Sequence, residues 1–162
     1  MNRPMRRHRQ AISEEECQSI LARNTHGVLA TVGNDGYPYA VPLSYAVVGD
    51  KIYFHSAVSG HKIDALRACD KVCFTVVDAD EVVAEKFTTY YRSVVVFGKA
   101  RILTDPADLR SALEALADKY SPGICGRERE IESSLSRVAI IELTPDAITG
   151  KEAIELVQQR KG

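Results

Sequence analysis

The stretch His55-Ser56-Ala57-Val58-Ser59-Gly60-His61-Lys62 gathers more potential chemistry than any other part of the chain. It joins the end of an alternating apolar segment to the start of a helical one. Backbone N–H groups at a helix start point outward and attract anions. Gly60 lets a ligand come close to the main chain. Ser56 and Ser59 add hydroxyls, and His61 and Lys62 add donors or positive charge. A phosphate suits that set; a capped surface helix carrying a lysine suits it as well.

Two further stretches invite a ligand. In Val41-Pro42-Leu43-Ser44-Tyr45, the proline cannot donate to a strand ladder. It implies an edge, a bulge or an irregularity, and it frees nearby backbone polar groups for another partner. A planar heterocycle with amide-like edges would use them. In Thr88-Thr89-Tyr90-Tyr91-Arg92-Ser93-Val94, hydroxyls, aromatic rings and an arginine precede a strongly apolar run. A polar loop feeding a core strand has the same composition.

Other chemistries lack their residues. There is no G-x-x-x-x-G-K-[ST], no G-x-G-x-x-G, no G-x-S-x-G and no H-E-x-x-H. The four histidines are His8, His26, His55 and His61, and only the last two are near neighbours in sequence. The cysteines at 17, 69, 73 and 125 form no C-x-x-C pair, so no metal site is expected from them. With no secretory signal at the N-terminus, idle thiols in a reducing cytoplasm are expected.

Elements must position these groups. Ser13 and Glu16 fit a capping box, with Ile12 and Cys17 as its hydrophobic staple and Asn24 closing the helix. Strands are expected over 26–32, 39–48, 51–56, 71–77, 92–103 and 137–143. A short helix is expected over 60–68, and 78–85 reads as an acidic loop or weak edge. Asp105-Pro106 starts another helix, buried through Leu109, Leu113, Leu116 and Tyr120 and ended by Ser121-Pro122-Gly123. Residues 1–10 read as a solvated basic arm, and 152–162 as a tail or short helix. Short loops in the first half, with a three-strand meander over 26–56, favour antiparallel pairing. The expected fold is one mostly-β domain over 1–162, a six-stranded, mainly antiparallel barrel with flanking helices.

Composition narrows the functions. Lys plus Arg is 21 and Asp plus Glu is 22, a net charge of −1, which disfavours a general nucleic-acid binder. No apolar run approaches the ~20 residues of a membrane span.

Taken together, these stretches resemble the FMN-binding split barrels related to pyridoxamine 5′-phosphate oxidase, and within them the 5-nitroimidazole-resistance branch. The residues that carry the likeness are Leu29-Ala30-Thr31-Val32, Asp35-Gly36-Tyr37-Pro38-Tyr39, Val41-Pro42-Leu43-Ser44-Tyr45, Ile52-Tyr53-Phe54-His55-Ser56-Ala57, Gly60-His61-Lys62 with Leu66, and Tyr91 through Ala100, in the family's order and spacing. The resemblance implies a homodimer with FMN at the subunit interface. It places Pro42, Leu43, Ser44 and Tyr45 along the ring edge, with His55, Ser56 and Ala57 beside the ring and ribityl chain. It places His61 and Lys62 on the phosphate, and Tyr91, Arg92, Ser93 and Val94 from the other subunit. His55 is the candidate catalytic proton donor, and Tyr45 and Tyr91 the candidates to flank an open ring face. The implied activity is NAD(P)H-dependent reduction of small oxidised substrates such as nitroaromatics. The alternative is a non-catalytic flavin- or haem-binding relay, with His8, His26 or His61 as axial ligand. The chain ends Leu156-Val157-Gln158-Gln159-Arg160-Lys161-Gly162 and has no Trp, unlike true pyridoxamine phosphate oxidases, so oxidation of vitamin B6 is not expected.

Overall fold

Helix α1 (Glu14–Arg23) starts at the expected cap, where the Ser13 hydroxyl accepts the Glu16 N–H at 3.2 Å, and Asn24 closes it. The computed structural model describes residues 5–161; residues 1–4, with Arg3, and Gly162 lie outside the described residues. In the rest of the basic arm Arg6, Arg7, His8 and Arg9 are exposed, as expected of a solvated arm, and only Gln10 is buried. A 3-10 turn at His8–Gln10 leads to Ala11, which bridges to Lys151 in antiparallel fashion.

The strands are β1 (His26–Val32), β2 (Pro38–Ser44), β3 (Ala46–Val48), β4 (Lys51–Ala57), β5 (Lys71–Val83), β6 (Thr88–Ile102) and β7 (Val138–Glu152). Between them lie α2 (His61–Ala68), α3 (Pro106–Tyr120) and α4 (Arg127–Ser134), and α5 (Ile154–Lys161) follows β7. All pair antiparallel in the order β2-β1-β5-β6-β7-β4-β3. There are seven strands where six were expected, and the sheet is not closed by hydrogen bonds.

The sheet is nevertheless strongly curled. Phe54 of β4 and Phe74 of β5 are three strand steps apart in that order, roughly 14 Å on a flat sheet. Their ring centroids are 5.0 Å apart, edge to face. Tyr45 meets Phe74 at 4.9 Å in the same manner. The concave face therefore encloses one core, built from Leu29, Ile52, Phe54, Phe74, Val76, Val94, Val96, Ile141 and Leu143. Cys17, Ile20 and Leu21 of α1 and Ile63 and Leu66 of α2 pack against it. A second core lies under α3 and α4, where Ala112, Leu113, Leu116 and Ile131 meet Leu103 and Ile140.

Four expectations are corrected. The strand expected over 39–48 is two strands on opposite edges of the sheet, so 26–56 is no meander. The acidic segment 78–85, expected as a loop or weak edge, is strand as far as Val83, on β5, which is not an edge strand in the sheet order: Asp80, Glu81, Val82 and Val83 pair with Tyr91, Tyr90, Thr89 and Thr88 in a long hairpin. Strand β7 runs to Glu152 because it pairs with the whole of β6. Helix α4 was not expected, since its sequence REREIESS buries only Ile131 and shows no apolar stripe.

The break between β2 and β3 has an identifiable cause. Extending the β3–β4 register, in which Ala46 faces Tyr53, would put Tyr45 opposite Phe54, Ser44 opposite His55 and Leu43 opposite Ser56. Instead the Tyr45 N–H donates to the Tyr120 hydroxyl at 2.9 Å, and the Tyr120 O–H lies 2.8 Å from the Tyr45 carbonyl and also reaches Thr25 O. The Tyr45 ring is fully buried, donating its O–H to Leu21 O at 2.7 Å under the Lys119 ammonium, 4.1 Å from the ring centroid.

Tyr120→Phe leaves the Tyr45 main chain without this partner, a loss of about 1–3 kcal/mol for an unpaired buried group. Urea unfolding should show it, while Tyr37→Phe, at a position 74% exposed, should fall within about 0.5 kcal/mol of wild type. Equal stability of the two variants would remove Tyr120 from its assigned role.

Candidate functional site

The divergence at Tyr45 leaves two strand edges unpaired. One is the outer edge of β2, which pairs only with β1. The other is 54–57 of β4, beyond the three residues that pair with β3. Main-chain polar groups along both are free for a ligand. Two stretches singled out from the sequence, 41–45 and 55–62, thus come together across one split.

Helix α2 stands at one end of the split. Gly60 precedes it at φ +129°, and a Cβ there would meet nothing within 4 Å. No side chain caps the helix. The Lys62 ammonium donates to the Ser56 hydroxyl at 2.9 Å, and Ser56 is buried. The His61 ring packs on Tyr39 of β2, with centroids 4.5 Å apart at 37°. Gly33 in the β1–β2 turn makes room for it, since a Cβ there would sit 3.1 Å from His61 Nε2. A buried hydroxyl, an ammonium, an uncapped helix start and an open glycine together fit a phosphate.

Strand alternation sorts the remaining candidates. On β4, Ser56 points into the core side with Ile52 and Phe54, while His55 and Ala57 are exposed on the other face. His55 is therefore not beside the Ser56–Lys62 pair by its side chain; within one protomer only its main chain lines the split. Pro42 and Ser44 are exposed on β2 and Leu43 is half-buried toward the inside. Tyr45, expected to flank a ring, is corrected to a core residue with no accessible surface. Burial pushes its hydroxyl pKa far above the usual tyrosine value.

The segment 91–94 lies elsewhere. Strand β6 is three strand steps from β2 in the sheet order. Val94 is fully buried in the core. Tyr91 and Ser93 are half-buried, and the Lys151 ammonium stands 5.1 Å from the Tyr91 ring centroid. Arg92 faces carboxylates: Glu152 Oε2 at 3.1 Å, Asp78 Oδ2 at 3.5 Å and Glu16 Oε1 at 4.0 Å. Arg23 grips Asp78 through two bonds of 2.9 and 2.7 Å, and Arg160 reaches Glu152 at 2.7 Å. These partners were missed because β7 was expected to stop at 143 and Asp78 to lie in a loop or weak edge. Tyr39 and Gly33 were missed as site residues because nothing in the sequence says that α2 folds back on the β1–β2 turn.

Burial raises the Asp78 pKa, but hydrogen bonds from Arg23 and Asn24 and the nearby Arg92 charge outweigh it, leaving the carboxyl below its ordinary value. Its stabilising contribution is therefore present above about pH 4 and is lost as the pH falls further. Asp78→Asn should melt below wild type at neutral pH, with the difference shrinking toward pH 3; a constant gap across that range would exclude the ionised network as its source.

The sequence profile described as pyridoxamine 5′-phosphate oxidase matches residues 13–152. An uncharacterized protein of Rhizobium meliloti (strain 1021) is 34% identical over 88 residues, which span 54% of this chain and 53% of that protein. The chain is similar to the crystal structure of a FAD-binding protein from Mesorhizobium loti, with 28% identity, coverage of 89% and 97% of the two chains, and a TM-score of 0.64. It shares its fold with a candidate 5-nitroimidazole antibiotic resistance protein from Bacteroides thetaiotaomicron VPI-5482, at 23% identity, 88% and 86% coverage and a TM-score of 0.74. The match along 13–152, spanning the split, α2 and the β6–β7 pair, places the chain in the pyridoxamine 5′-phosphate oxidase family.

Proposed function

We propose that the protein is a homodimeric FMN-binding reductase of the 5-nitroimidazole-resistance type. The observation that carries this is the split itself: two unpaired strand edges, 41–44 and 54–57, with the Lys62–Ser56 pair and the open helix start at one end. The edges offer main-chain donors and acceptors to the rim of a flat heterocycle. Lys62, Ser56 and the first N–H groups of α2 match one phosphate. The similar Mesorhizobium loti protein is described as FAD-binding, which supports a flavin in this place. When bound, FMN supplies the two-electron chemistry between a nicotinamide nucleotide and a small oxidised substrate such as a nitroaromatic.

The dimer rests on the convex face of the sheet. Val28, Val32, Val77 and Phe97 are exposed there, 40–57% each, and neighbour Ala30, Thr75 and Val95 in the paired register. Phe87, 99% exposed at positive φ, tips the long β5–β6 hairpin beside exposed Val82. A second copy covers such a surface. It also brings the partner's Tyr91 and the partner's Ser93 toward the split, which this protomer's own residues do not reach. The side chains of Arg92 and Val94 turn inward, so Arg92 acts by holding β5, β6 and β7 together rather than by touching the ring.

In this reading Lys62 neutralises the phosphate, Ser56 accepts from Lys62 and donates to the phosphate, and Tyr39 with His61 walls the split. The purified protein should be yellow and release FMN, identified by mass, and should run as a dimer. Lys62→Ala should weaken FMN binding by roughly tenfold or more in a fluorescence titration, with the fold retained. Unchanged affinity would displace the phosphate from this place, and a protein that stays colourless with added FMN would end the flavin reading.

A further inference from the structure

We infer that two copies of this chain stack their convex faces with β5 and β6 running opposite to the same strands of the partner, so that Lys71 and Lys99 of each copy meet the partner's Asp80 and the partner's Glu85. The inference rests on the dimer reading above and adds its orientation and the charges that set it. The face has no cover within the chain: α1 and α2 pack on the concave core, and α3 and α4 on the second core with Leu103 and Ile140. Opposed residues of an antiparallel pair share a face. By that rule Lys71 and Lys99 stand at one end of the convex side, Val77 and Phe97 along its middle, and Asp80 with Tyr91 at the other end.

Lys71 and Lys99 are directly opposite each other in the β5–β6 register, and both are exposed. Like charges at opposed positions repel. Neither lysine forms an ion pair among the described residues, and Glu142, opposite Arg101, is held by Arg101 and Lys51 instead. The other end carries the reverse sign. From Asp80 to Val83, β5 pairs only with β6, because β1 reaches no further than Thr75 and β7 no further than Arg92. A two-stranded ribbon on its own is marginal in water. Tyr90 is buried on its inner side. On the outer side Asp80 and Val82 are exposed, as are Glu85 and Phe87 at the tip. Neither acid forms an ion pair among the described residues, and Lys86 turns to the Tyr90 hydroxyl at 2.8 Å.

A two-fold interface sets one surface against itself. Here that surface is basic at one end, apolar in the middle and acidic at the other. The span from Lys71 to Asp80 along β5 is about 30 Å at the rise of a strand. With the axis near the middle of that span, each lysine end meets an acidic end and the apolar middles cover each other. With the strands parallel, Lys71 and Lys99 would meet the partner's Lys71 and the partner's Lys99, a further like-charge contact. Charge therefore selects the antiparallel stacking. The same stacking lays the outer side of the ribbon on the partner's sheet and gives the lysine pair the counter-charge it lacks in one copy.

Sedimentation of charge-reversed variants of the full chain tests the orientation. The Lys71→Glu, Lys99→Glu double variant and the Asp80→Lys, Glu85→Lys double variant should each dimerise at least roughly tenfold more weakly than wild type. An equimolar mixture of the two should regain wild-type association as heterodimers, because both ends of the mixed pair are again opposite in sign. A single chain carrying all four changes should dimerise like wild type. Recovery in the mixture also shows that both double variants are folded. Double variants that dimerise like wild type overturn the inference, as do a mixture and a fourfold variant that stay as weak as the doubles. A monomeric wild-type chain overturns the dimer reading together with it, whereas a wild-type dimer indifferent to these charges leaves the dimer reading standing, so the two fail separately.

Discussion

The main chain at Tyr45 has two ways to satisfy its amide: the β4 edge beside Phe54, or the hydroxyl of Tyr120 on α3. It takes the second, at 2.9 and 2.8 Å. A strand ladder propagates one residue at a time, so losing the pair at Tyr45 releases every residue before it. The chain is then free to leave β4 and run back along β1 over its full length. Burial of the Tyr45 ring, with its own O–H bound to Leu21 O, makes the departure point rigid. The split and its free edges follow from that one substitution of partners.

Period-two alternation then decides which side chains serve the opening. A one-residue step along a strand moves a side chain to the opposite face. Ser56 reaches Lys62 for this reason, while His55 and Ala57 turn away. On β6 the same rule sends Tyr91 and Ser93 outward and buries Val94. Arg92, on the inner side at the end of the core, meets Glu152 and Asp78 instead of solvent. Three arginines and three acids interlock there, and they tie α1 and α5 to the three central strands. Such a network is worth more as a rigid frame than as a source of stability, because desolvation offsets much of its Coulomb gain.

Local signals were legible where a single residue type is enough. The Ser13 cap and the Asp105-Pro106 start of α3 both stand where the sequence puts them. The ordered set of short stretches from Leu29 to Ala100 was legible as a family pattern. What was not legible depends on distant partners. Nothing near Tyr45 announces Tyr120, 75 residues away, so 39–48 reads as one strand. The acids of β5 look like a loop because their stabilisation comes from pairing with 88–92, not from their own β-propensity. Helix α4 is invisible because one buried isoleucine makes no stripe.

An open sheet edge is ordinarily a hazard, since its unpaired groups can zip to any extended chain. Here the two free edges also face each other, so the nearest threat is closure of the split itself. Prolines at 38 and 42 bear on both. In an edge strand the missing N–H of a proline belongs on the outer side, where no ladder bond is lost. Pro38 and Pro42 keep their pairing with Val32 and Val28 of β1, so their outer side faces the opening. The β2 edge then presents carbonyls without matching donors at those two positions, and β4 cannot close against it by a regular ladder. A planar ligand with its own donors and acceptors does not need that regularity. The prolines that mark β2 as an irregular strand in the sequence thus oppose closure of the split by the protein's own backbone.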